Sequence, residues 1–198
     1  MNAAASALVG AAYLLGSISF AVLVVRLSTG KDIRTEGSGN AGATNVLRAH
    51  GKRLGLAVAA LDIAKGAAGV LLVRAVTADP RYAAAAAFAA ILGHVFPIFH
   101  GFRGGKGVAT AVGAFLVLAP WPTLVCVAIF VVVVALTRYV SLGSVVAMAL
   151  LPPIAGVLFH APRPVVMAAA GAAFLIVWKH RENVRRLARG EERKLGSK

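Results

Sequence analysis

Residues 93–110 read GHVFPIFHGFRGGKGVAT. An apolar segment runs into this stretch, and its second half carries Gly101, Gly104, Gly105 and Gly107 with the cations Arg103 and Lys106. The chain turns apolar again at Val108. Gly-Gly-Lys-Gly has no side chains shielding its backbone, so its N–H groups can approach an oxyanion, and glycine tolerates the positive φ of an anion-binding nest. A helix starting near Val108 adds the partial positive charge of its N-terminal amides. Two readings fit: a phosphate cradle, or a charged loop that only anchors a membrane protein.

The loop is not a Walker A motif, which needs Gly, four residues, then Gly-Lys-Ser/Thr. Counting back from Gly105-Lys106 the first glycine falls on His100, and Gly107 stands where the hydroxyl is required. Nucleotide hydrolysis is therefore not what this loop is built for.

Outward from the loop, the pattern is that of a membrane. The 198 residues are 59% hydrophobic, with a mean hydropathy of +0.81. That is too apolar for a soluble domain of this size and fits a polytopic membrane protein. We read residues 1–198 as a single polytopic membrane domain with a basic cytoplasmic tail, 180–198. The formal charge of +14 speaks for anionic lipid and anionic substrates rather than nucleic acid. Cys126, the one cysteine, forms no internal disulfide, and no Cys/His cluster suggests a metal. Met1–Ser28 lacks a polar n-region and cleavage site and reads as a first span that stays.

Apolar segments fall at roughly 4–26, 54–76, 82–100, 108–119, 122–137, 140–160 and 164–179. The expected fold is an all-α membrane protein with about seven transmembrane helices. A crossing needs about 20 residues, so the fourth segment is short or broken. Irregular backbone at membrane depth is tolerated only inside protein or beside a wet cavity. With the N-terminus outside and the C-terminus cytoplasmic, Arg74, Arg81 and Arg163 fall outside and Lys65 within a span. The rest of the 21 basic residues fall inside, the asymmetry expected of that orientation.

The loop 29–53, TGKDIRTEGSGNAGATNVLRAHGKR, offers Ser38, Asn40, Thr44 and Asn45 as neutral hydrogen bonders. Arg48, one turn beyond Thr44, has a fork suited to phosphate. A phosphate site and a flexible linker both fit such a run. Asp62 and Lys65, three apart on one helix face, pair inside the bundle; the pair is structural or borders the polar site. His94 and His100 are satisfied interfacial groups or hydrogen-bond donors near the glycine loop. Arg138 snorkels at the inner interface or serves the site. Ser141 and Ser144 share a face and bond between helices or line the site. The tail WKHRENVRRLARGEERKLGSK, 178–198, is amphipathic and basic, suited to a membrane surface; His180 and Asn183 lie at its membrane end.

No hydrolytic triad appears, and the common acyltransferase pattern of His followed five residues later by Asp is absent. The positions five after the histidines are Gly55, Phe99, Gly105, Val165 and Arg185. An acyl-enzyme, or acyl-CoA chemistry of that type, finds no support.

Four segments, GSGNAGATNVLR (37–48), GHVFPIFHGFRGGKGVAT (93–110), RYVSLGS (138–144) and KHRENVRRLARGEE (179–192), together resemble the motifs of the bacterial acyl-phosphate:glycerol-3-phosphate acyltransferases. The resemblance runs through most of the chain in order. It implies a multi-pass enzyme of the bacterial inner (cytoplasmic) membrane with its active site facing the cytoplasm. The implied reaction moves a fatty acyl group from acyl phosphate, not acyl-CoA or acyl carrier protein, to the 1-hydroxyl of glycerol 3-phosphate. Its products are lysophosphatidic acid and phosphate, the first acylation of phospholipid synthesis. Ser38, Arg48, Lys106, His180 and Asn183 are the implied catalytic residues. Gly104, Gly105 and Gly107, with Asn40, Thr44, Asn45, His94, Ser141 and Ser144, are expected to bind or orient substrate. The implied partners are the two substrates and membrane lipid, with no cofactor and no metal. His100 and Arg103 stand where the family more often has an apolar residue and a lysine; Arg103 keeps the charge. An organophosphate transporter is the alternative; it calls for an internal repeat with paired broken segments, and no second GGKG or GSGN occurs.

Overall fold

The structure is a computed structural model that describes residues 2–196. Lys198, counted in the basic tail, lies outside the described residues, as do Met1 and Ser197. No strand occurs among the described residues. The chain forms two compact units, Met1–Leu118 and Ala119–Lys198.

Among the described residues the first unit holds six α-helices: α1 (Ala3–Gly16), α2 (Phe20–Thr29), α3 (Ala43–His50), α4 (Lys52–Arg74), α5 (Pro80–Val95) and α6 (Val108–Leu118). Asn2 caps α1 by accepting from the Ala5 N–H, and Asp79 with Pro80 starts α5. The first apolar segment, read as one continuous span, is interrupted between α1 and α2. Ser17 Oγ donates to the Tyr13 carbonyl at 2.9 Å, competing with the helical ladder. The Ile18 carbonyl leaves that ladder and accepts from Lys65 Nζ at 2.7 Å. Of the two forms expected for the fourth segment, short or broken, it takes the short one: α6 has 11 residues and is continuous.

Glycine sets how closely these helices pack. A Cβ on Gly16 would strike the Ala90 carbonyl, and one on Gly93 the Tyr13 carbonyl, so α1 and α5 meet backbone to backbone. Gly66 against Thr110 and Gly113 against Ile63 do the same for α4 and α6. In lipid, where apolar burial gives no net drive between helices, such contact supplies the packing energy.

The second unit holds α7 (Pro120–Thr137), α8 (Val140–Pro153), α9 (Arg163–Lys179) and α10 (Arg181–Ala188). Arg138, at φ 63°, turns the chain from α7 into α8. Pro152 and Pro153 remove backbone donors near the end of α8, and the helix continues as a wider π turn over Ile154–Leu158. Beyond α10 the chain leaves the helical path. The Leu195 N–H donates to the Arg138 carbonyl at 2.7 Å, and the Arg138 guanidinium donates to the Leu195 carbonyl.

Among the described residues, five helical segments are long and apolar enough to cross a membrane: Ala3–Thr29, Lys52–Arg74, Pro80–His100, Pro120–Thr137 and Val140–Leu158. Of the other two apolar segments expected, α6 has 11 residues and α9 has 17.

Candidate active site

The glycine loop of the first unit is folded onto the end of α5. The Gly105 N–H donates to the His94 carbonyl at 3.1 Å, and the Phe102 N–H to the Pro97 carbonyl at 2.9 Å. A Cβ on Gly104 would meet the His94 carbonyl and would lie 2.6 Å from Pro97 Cδ. One on Gly105 would meet the His94 ring at Nε2 and would lie 2.7 Å from the Ala41 carbonyl. These two glycines are bare because there is no room. Gly107 is bare for another reason, its φ of 89°. It precedes α6 and its carbonyl accepts from the Ala111 N–H at 2.8 Å, so the loop ends on a helix N-terminus, as the sequence suggested.

The contact of Gly105 with Ala41 brings the second polar loop, 37–45, beside the first. This loop is organised by Asn45, whose side chain is buried. Its Oδ1 accepts from the Ser38 N–H at 2.9 Å, and its Nδ2 donates to the Glu36 carbonyl at 3.0 Å and the Ile33 carbonyl at 3.3 Å. Asn45 therefore shapes the loop. Gly37 and Gly39 have φ of 61° and 70°, and Gly37 also lies against the Asn45 amide. The result leaves Ser38 exposed and Asn40, Thr44 and Arg48 half-buried. Lys106 is half-buried in the adjoining loop.

At the base of the loop Glu36 bonds Lys31 Nζ at 3.2 Å and His50 Nε2 at 2.6 Å. Those bonds, from Lys31 first and His50 second, hold its carboxyl below the ordinary range. Beneath the glycine loop lies a buried polar group of three. Lys65 Nζ is 2.8 Å from Asp62 Oδ1 and His94 Nδ1 is 3.5 Å from the same oxygen. The expected Asp62–Lys65 pair is formed, and His94 joins it.

In the second unit Ser141 and Asn183 share one partner. Ser141 Oγ donates to Glu192 Oε1 at 2.8 Å and Asn183 Nδ2 to the same oxygen at 2.7 Å, while Arg186 Nε donates to Oε2 at 2.8 Å. Burial pushes the Glu192 carboxyl up, but these three donors outweigh it and leave the group below its ordinary value. Sequence reasoning gave Glu192 no role. Its signal was an acid following Gly190 within the fourth motif, where the turn returns it to Asn183. His180 is buried between α9 and α10, and its Nδ1 lies 2.7 Å from the Ile176 carbonyl. A carbonyl only accepts, so Nδ1 carries the proton and Nε2 is the acceptor nitrogen in the neutral ring. Ser144 does not follow Ser141; its hydroxyl donates to Val140 in its own helix.

Such a chain, helical among its described residues and rich in membrane-length apolar helices, is an integral membrane protein. Residues 6–190 match the family model described as glycerol-3-phosphate acyltransferase. The chain is 49% identical over 194 residues to the glycerol-3-phosphate acyltransferase of Thioalkalivibrio sulfidiphilus (strain HL-EbGR7), covering 98% of this chain and 95% of that one. It is 48% identical to that of Anaeromyxobacter dehalogenans (strain 2CP-C), covering 95% and 96%. Its fold is similar to the crystal structure of PlsY, an integral membrane glycerol 3-phosphate acyltransferase, in the glycerol 3-phosphate form. The TM-score is 0.92 and the identity 40%, over 97% of this chain and 96% of that one. The lysophosphatidic acid form of PlsY matches with a TM-score of 0.88 at 38% identity. The chain belongs to the glycerol-3-phosphate acyltransferase family, a family of integral membrane acyltransferases of lipid biosynthesis.

Proposed function

We propose that this protein acylates the 1-hydroxyl of sn-glycerol 3-phosphate with a fatty acyl group taken from acyl phosphate, releasing lysophosphatidic acid and inorganic phosphate. The reading rests above all on the likeness, over 97% of the chain, to an acyltransferase seen with glycerol 3-phosphate. The glycine cradle adds the chemistry, since donor and acceptor both carry phosphate.

Transfer is direct. The hydroxyl oxygen attacks the acyl carbonyl, the bond from that carbon to the phosphate oxygen breaks, and phosphate leaves. The donor is a mixed anhydride with a good leaving group, so no acyl-enzyme, metal or cofactor is needed. Alignment and preorganised donors provide the rate. In this reading Gly104, Gly105 and Gly107 with Ser38 bind the donor phosphate. Arg48, Lys106, His180 and Asn183 bind glycerol 3-phosphate. Asn40, Thr44, Asn45, His94, Ser141 and Ser144 line or orient, and the geometry around Asn45 and Ser141 favours orienting. The hydroxyl proton passes to the departing phosphate, the strongest available base beside it. The chain works as one polytopic domain of the bacterial inner membrane, with its N-terminus outside and its site and basic tail cytoplasmic.

Donor choice is the test. Purified protein with glycerol 3-phosphate is offered palmitoyl phosphate, palmitoyl-CoA or palmitoyl-acyl carrier protein. Lysophosphatidic acid from palmitoyl phosphate alone is expected; equal product from either thioester contradicts the assignment.

A further inference from the structure

Three charged or ionisable side chains are buried under the glycine loop, where an unpaired charge would be costly. Asp62, Lys65 and His94 are each less than a tenth exposed. Their partners join separate parts of the first unit. Lys65 Nζ pairs with Asp62 Oδ1 at 2.8 Å, bonds the Ile18 carbonyl at the interruption between α1 and α2, and lies over the Phe20 ring, 5.6 Å from its centroid. With Lys65 so tied, the Asp62 carboxylate is fixed in place. His94 Nδ1 stands 3.5 Å from its Oδ1. The far nitrogen, Nε2, is the atom that a Cβ at Gly105 would strike. The backbone carbonyl of His94 holds the Gly105 N–H. His94 thus grips Gly105 from two sides, with its ring edge and its carbonyl.

We infer that Asp62 is a positioning residue for the glycine loop, acting through His94. A carboxylate only accepts, so it selects the His94 tautomer protonated at Nδ1 and fixes the ring plane. The fixed ring sets where the Gly104–Gly105 peptide stands, and with it the course of the loop through Lys106 and Gly107 to the N-terminus of α6. Lys65 holds Asp62 and anchors the arrangement to the helix interruption, which supplies a carbonyl otherwise without a helical donor. The alternative is an ion pair that only stabilises the bundle.

The inference rests on the proposed acyl transfer, and its test has a readout that does not need turnover. In wild-type protein labelled with 15N-histidine, the His94 ring resonances report its tautomer. Protonation at Nδ1 is expected; a ring protonated at Nε2 overturns the inference. Asp62 and Lys65 are then replaced together, Asp62→Asn with Lys65→Met, since removing a buried pair as a unit avoids leaving one charge unpaired. Expected is loss of the tautomer preference and a rise of about tenfold in KM for palmitoyl phosphate, with kcat per folded enzyme changed by less than about threefold. His94→Gln should raise the same KM, and combining all three changes should do no more than His94→Gln alone, because they act along one line. A KM unchanged in the paired variant, with only a lower folded fraction, makes the pair structural and overturns the inference. So does a combined effect equal to the product of the separate ones. Wild-type protein that makes no lysophosphatidic acid, yet shows the Nδ1 tautomer, refutes the function and not the geometry.

Discussion

Asn183 and Glu192 are joined by a 2.7 Å hydrogen bond within the second unit, and Ser141 bonds the same carboxylate oxygen. Two residues that the sequence motifs single out for substrate are therefore set in place by a third. The bond fixes the Asn183 amide with its nitrogen toward Glu192, which turns its oxygen the other way.

Replacing Glu192 by glutamine keeps the shape and removes the charge shared by three donors. A loss of about 2 kcal/mol in stability is expected, with a fall in activity beyond what the lost folded protein explains. Thermal unfolding in detergent and kcat per folded enzyme measure the two. The pH dependence has a definite sign. The Glu192 carboxyl titrates below its ordinary 4.5 in the folded protein, so its contribution is complete above that value and fades as pH falls through the lowered one. The stability gap between wild type and Glu192→Gln should shrink below about pH 4.5.

Gly105→Ala places a methyl against the His94 ring and the Ala41 carbonyl. The loop must shift to admit it. A misplacement of about 1 Å in aligned groups costs on the order of a hundredfold, so kcat/KM for palmitoyl phosphate is expected to fall by about that factor while the helices still assemble. Ala substitution at the open Gly101, which has space but a φ of +61°, should cost less; steady-state kinetics of the pair decide.

The Asn45 side chain satisfies three backbone groups of the loop 33–38. Asn45→Ala leaves them without that partner, at roughly 1–3 kcal/mol. Faster amide exchange at Ser38 is expected, together with a loss of activity that Asn45→Asp, which keeps the acceptor for Ser38, restores only in part. Unchanged exchange at Ser38 would contradict the loop-shaping role.

The helices were legible because hydropathy alone draws them, and the glycine loops because bare backbone beside cations stands out in so apolar a chain. The interruption at Ser17–Ser19 was not. Its apolar flanks continue the pattern, and its cause, Ser17 bonding Tyr13 and Lys65 bonding Ile18, lies partly 47 residues away. The Asp62–Lys65 pair follows from helical spacing, but its third member, His94, comes from a different helix. Ser141 and Ser144 look equivalent in sequence; only the returning chain at Glu192 separates them.

The charge asymmetry gives a topology that labelling can check. In a Cys126→Ala background, a single cysteine at Glu191 should react with a membrane-impermeant maleimide only after the inner face is opened. One at Thr77 should react from outside in intact cells. The reverse pattern would place the glycine loops on the wrong side for a cytoplasmic phosphate donor.

The most direct measurement follows both products of purified protein given palmitoyl phosphate and glycerol 3-phosphate, beside Lys106→Ala. Phosphate and lysophosphatidic acid in equal amounts, with neither made by Lys106→Ala, are expected of direct acyl transfer. Phosphate without acylated product would make the protein a phosphatase. Glycerol 3-phosphate crossing proteoliposomes with neither product formed would make the cradle a transport site and contradict the account.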